Sequence, residues 1–148
     1  MTYQEKQNIV HIFSGLLITA IFAWIVYQRQ LQGVFDLTQD FHKWGLVFLI
    51  FIAVSVVARI IIQIIFHIFN AVATREEEVP QEDERDKLIK LKATRNSYYA
   101  FSGGFVLAVV ALALGMPVHG MFIALVLFGL ISELIDHGSQ IYYYRKGV

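Results

Sequence analysis

The feature that most limits what this chain can become is residues 9–27, a run without a single Asp, Glu, Lys or Arg. A bilayer's hydrocarbon core is about 30 Å thick and takes about 20 helical residues to cross, so this run is long enough to span it. Three more stretches qualify: 44–73, interrupted by Arg59; 98–114; and 118–144, which holds Glu133 and Asp136. Only Gly115, Met116 and Pro117 separate the last two, which makes them antiparallel neighbours joined by a tight turn. The stretches are continuously apolar rather than alternating, which argues against a membrane β-barrel. The first is longer than a signal peptide's apolar region, and Gln28, Arg29 and Gln30 after it form no small-residue cleavage site. The expectation is an all-α, polytopic membrane protein, a single domain over 1–148 with four transmembrane helices.

Composition agrees and narrows function. The 148 residues are 57% hydrophobic and 16% charged, where an ordinary soluble domain is about 25% charged. Lys+Arg and Asp+Glu balance at 12 each, leaving no basic excess to recruit nucleic acid. There is no cysteine, so disulfides, iron–sulfur clusters and thiol catalysis are excluded.

Lys and Arg near the span ends set orientation. One side carries nine: Lys6, Arg75, Arg85, Lys87, Lys90, Lys92, Arg95, Arg145 and Lys146; the other carries Arg29 and Lys43. An N-in/C-in arrangement in the cytoplasmic membrane follows. Trp24, Tyr27 and Trp44 would mark the outer interface, and Tyr98, Tyr99, Tyr142, Tyr143 and Tyr144 the inner one. Residues 74–97 read as a cytoplasmic helical segment. Pro80 suits a first helical position, Glu82, Asp83 and Glu84 suit the first turn, and Asp83/Lys87 and Asp86/Lys90 are favourable i,i+4 pairs.

Two short matches suggest duplicated helical hairpins. Phe13-Ser14-Gly15 in span one recurs as Phe101-Ser102-Gly103 in span three; Gln63 to His67 in span two resembles Glu133 to His137 in span four. They fall in the same order on helices running the same way, as a parallel repeat would.

Intramembrane polar residues concentrate in the half near the termini. Span two carries Ser55, Arg59, Gln63, His67 and Asn70 on one helical face, and span four carries Glu133, Asp136, His137 and Gln140. Counted from the span ends, Arg59 and Glu133 come within about a turn of the same depth, so an ion pair between them, with Asp136 nearby, is expected. Arg59, Gln63, Glu133 and Asp136 form either a packing lock or a functional polar cavity open to the cytoplasm. His67 and His137, with His11 as a substitute, could ligate haem or bind a metal with Glu133 or Asp136. The competing reading has them hydrogen-bonding neighbouring helices near the interface. The acids 76–78 and 82–84 lack the spacing of a calcium loop, and no phosphate loop, nucleophile elbow or His-Glu-x-x-His pattern occurs. Ala100, Gly104 and Ala108 form a small-residue stripe that serves either the bundle or a homodimer.

Glu82-Asp83-Glu84-Arg85-Asp86 ahead of Lys92-Ala93-Thr94, with Tyr144-Arg145-Lys146-Gly147 at the end, resembles an uncharacterised family of small bacterial and archaeal four-span membrane proteins. The likeness covers about 81–148; Lys146 stands where the family usually has Arg. Some members resemble proteins encoded beside small helix-turn-helix regulators, which implies an accessory, sensing or regulatory role and a bacterial or archaeal cytoplasmic membrane. The expected function is non-enzymatic: an accessory or regulatory membrane protein, in contact with the lipid bilayer, a cytoplasmic protein partner and a second copy. The alternative is a haem-, metal- or small-ligand-binding bundle, redox-active in the haem case. A channel or transporter is weaker, because the aliphatic outer half offers no polar path.

Overall fold

In a computed structural model, residues 2–33, 41–74 and 83–147 are described, and they form four helices: α1 (Tyr3–Leu31), α2 (Phe41–Thr74), α3 (Glu84–Ala113) and α4 (Val118–Lys146). Each is long and apolar enough to cross a membrane. At 1.5 Å per residue they are about 43–51 Å long, so each has length to spare beyond a core of about 30 Å. The acidic run 76–78 and the residues Arg75, Pro80 and Glu82 lie outside the described residues.

Local chemistry explains the helix starts. Thr2 caps α1 through a capping box with Glu5: the Thr2 hydroxyl accepts from the Glu5 N–H at 3.2 Å, and Glu5 accepts from the Thr2 N–H at 2.8 Å. Asp83 and Asp86 repeat the device at α3. Asp83 is extended, with φ −85° and ψ 177°, so α3 begins at Glu84 and does not run continuously from Pro80. A carboxylate that accepts the first free N–H groups stops the helix there. Between α3 and α4, Gly115 turns the chain at φ 100°, a left-handed conformation suited to glycine.

The helices pack in the order α2, α1, α4, α3, with α3 on α4 the most extensive contact and a lighter one between α2 and α4. Among the described residues α2 and α3 do not pack together. A two-fold repeat would map the α1/α4 contact onto α3/α2, so the hairpins are not related by that symmetry. The matched residues also differ in role: a Cβ at Gly15 would run into Glu133, whereas one at Gly103 would meet no neighbouring side chain or helix within 4 Å.

The half away from the termini is held by apolar and aromatic packing. Trp44 and Val47 are buried against Phe22, Val26, Phe48 and Phe122, with Trp44 stacked on Phe122 at 5.4 Å between centroids. Trp44 therefore faces inward rather than serving in an interfacial belt, while Trp24 and Tyr27 are exposed. An apolar cavity of about 380 Å³ adjoins this cluster between α1, α2 and α4, with Tyr27 and His119 the only ionisable groups in its lining.

Candidate functional site

The half near the termini is the chemically dense one. Arg59 of α2 reaches across to Glu133 of α4: Nη2 donates to Oε2 at 2.6 Å, and Nη1 stands 2.6 Å from Oε1 as an ion-pair contact outside hydrogen-bond geometry. The charge-assisted hydrogen bond ties α2 to α4 at this level. The side chains keep 33% and 17% of their exposure, so the pair is only partly withdrawn from its surroundings. The backbone of α1 makes room for it. A Cβ at Gly15 would stand 2.8 Å from Glu133 Oε1, so the carboxylate can occupy this spot only because residue 15 has no side chain.

Towards the termini the network continues through α1. Gln63 hydrogen-bonds the His11 ring and also accepts from Gln7 at 3.3 Å. The His11 and His137 rings stack face to face, 4.6 Å between centroids and 3° from parallel. His137 Nδ1 donates to Asn8 Oδ1 at 2.7 Å, which leaves Nε2 of a neutral ring as an acceptor. His67 is held apart from this pair, with its Nδ1 2.7 Å from the Tyr3 hydroxyl. Asp136 accepts from Gln140 at 3.3 Å on its own helix. A last layer ties Gln4 to Asp86 at 3.3 Å and Glu5 to Arg145 at 3.2 Å. On the far side, Ser132 donates to the Ser97 carbonyl at 2.9 Å, and Asn96 donates to Ser139 and Tyr143 at 3.3 Å each.

The structure thus brings Arg59 together with Glu133, Gln63 with His11, and His11 with His137. It does not join His67 to His137, the pair expected to flank a haem. The stacked His11 and His137 present ring faces rather than nitrogens to each other, with no room for a macrocycle between them, so this arrangement does not fit bis-histidine haem. Among the described residues no three His, Asp or Glu groups converge in a way that could hold a metal ion. Ala100, Gly104 and Ala108 point to a use inside the bundle: Gly104 and Ala108 are buried, and a Cβ at Gly104 would fall 2.3 Å from the Phe128 ring of α4.

The polar contribution of the first turns of α1 escaped the sequence reading, which started span one at residue 9. Glu5 and Asn8 are both buried. The signal was the spacing of Gln4, Asn8, His11 and Gly15, which is one helical face.

Fold and site together define the class: a four-helix membrane bundle with a polar cluster at the end where both termini lie. No family model, curated protein or solved structure matches the chain.

Proposed function

We propose that this chain is a non-enzymatic accessory or regulatory membrane protein that docks a protein partner on the outward face of α3. One observation carries this reading. The first half of α3 turns Asp86, Ile89 and Ala93 into the bundle, while Lys87, Leu91 and Arg95, four residues apart, stand exposed on its opposite side. Leu91 keeps 68% of its exposure, and the basic residues on either side of it suit an acidic, partly apolar partner surface. The charges of the polar cluster support the same view, because Arg59 and Glu133 are engaged with each other in holding helices. The nine-to-two excess of Lys and Arg supports a cytoplasmic position for this face. The resemblance of residues 81–148 to four-span proteins encoded beside small regulators points the same way, as association.

The test places a photo-crosslinking amino acid at Leu91 of the full chain in its native membrane. A discrete adduct is expected, and it should disappear when Lys87→Glu and Arg95→Glu are added. Absence of any adduct, or one indifferent to the charge reversal, overturns the reading.

A second reading, a small-ligand site, is favoured by three polar atoms of the cluster. Arg59 Nε, Glu133 Oε1 and Asp136 Oδ1 are buried without a hydrogen-bond partner among the described residues. A small polar ligand suits those atoms better than haem does. A Soret band in the purified protein, lost in His11→Ala or His137→Ala, would carry a haem-binding function instead.

A further inference from the structure

The contacts near the termini set the four helices level with one another. Tyr3, Gln4 and Glu5 are consecutive in α1, and they hold His67 of α2, Asp86 of α3 and Arg145 of α4 respectively. Those three partners therefore lie at nearly one level. On α3 and α4 that level is charged, with Glu84, Arg85 and Lys87 on one and Lys146 on the other. From Asn96 onward α3 has no formal charge, and Asn96 sits beside Ser139 and Tyr143 of α4.

On α2 the same border falls near Gln63, which is tied to Gln7 and His11. Residues 44–63 already rise about 29 Å, the thickness of the hydrocarbon. Residues 64–72 add about 12 Å beside the charged turns of α3 and α4. Yet the outward face of this surplus is apolar: Ile64, Ile68, Phe69 and Val72 are exposed, the last two at 75% and 78%. A flat bilayer border at right angles to the bundle axis leaves either the charges on α3 and α4 or the apolar surface on α2 in the wrong solvent.

We propose that a second copy of this chain covers that face, α2 packing parallel to its counterpart about a two-fold axis along the membrane normal. Two copies inserted the same way can meet only in that sense. Ile50, Val54, Val57, Ile61, Ile64 and Ile68 alternate spacings of four and three, the a and d positions of a left-handed coiled coil. All six are exposed, and they run along the side of α2 opposite Ser55, Arg59 and Gln63, which face the bundle. Within lipid, such helices gain only packing from association. Beyond Gln63, where the neighbouring helices are charged, removal of isoleucine from water adds a drive of its own. The small-residue stripe of α3 is already occupied by Phe128 and is not free for self-association.

The chain has no cysteine, so single introduced thiols report directly. Full-length Ile61→Cys, Ile64→Cys and Ile68→Cys proteins in isolated membranes, treated with a copper oxidant, should each form disulfide-linked dimers, because a two-fold axis sets each residue against itself. Ile60→Cys, on the flank of the seam, and Leu107→Cys, on exposed α3, should remain monomeric. Equal cross-linking of Leu107→Cys would mean random collision and overturn the proposal. Monomers throughout, with the mass of one chain in lipid nanodiscs, would overturn it in favour of a tilted single bundle that submerges residues 64–72.

Discussion

At the residue scale, Arg59 and Glu133 show why an ion pair in a membrane helix is a matter of register more than of stability. Both charges must leave water, and their attraction offsets that cost only while both are present. Arg59→Leu should therefore destabilise the protein by up to about 3 kcal/mol, because Glu133 is left without its cation. Arg59→Leu with Glu133→Leu should recover most of that loss, measured by thermal unfolding in a single detergent. Equal losses in the single and double variants would mean that the pair carries no coupling. Depth counting from the span ends made this contact legible in the sequence. Gly15 was not legible in the same way, because the need for a missing side chain appears only once Glu133 of another helix is seen against it.

At the element scale, α3 combines two halves with different solvents. Its first half is capped by Asp83 and charged; its second is apolar and passes along α4. Gly104 marks where the two helices close in. Gly104→Ala would drive a methyl into the base of the Phe128 ring, which cannot swing aside as a flexible chain end would, at a cost of about 1–3 kcal/mol. Gly103→Ala, next to it but open to its surroundings, should instead stabilise the helix by up to about 1 kcal/mol. Unfolding of the two variants side by side checks the assignment of the stripe; matched values would return it to a surface role. The stripe itself was plain in the sequence. Its partner was not, since small-residue spacing is the same for a contact within a bundle and for one between copies.

At the scale of the whole molecule, both termini and the charged start of α3 share one end of the bundle, and the Lys/Arg distribution predicts that this end is cytoplasmic. A thiol reagent that cannot cross the membrane should label Gly33→Cys in intact cells and Lys87→Cys only after the membrane is opened. The reverse pattern would invert the topology without disturbing the packing. The sequence alone determined that the chain forms four apolar helices, that the last two turn at Gly115, and that the polar residues gather near the termini. Those properties depend on length, hydropathy and spacing along one helix, and a chain carries them without reference to its neighbours. Only the tertiary structure decided that the helices pack in the order α2, α1, α4, α3, that His137 stacks on His11 while His67 turns to Tyr3, and that Trp44 points inward. The rotation and partner of each helix depend on the side chains of the others, and a one-dimensional pattern does not contain that geometry.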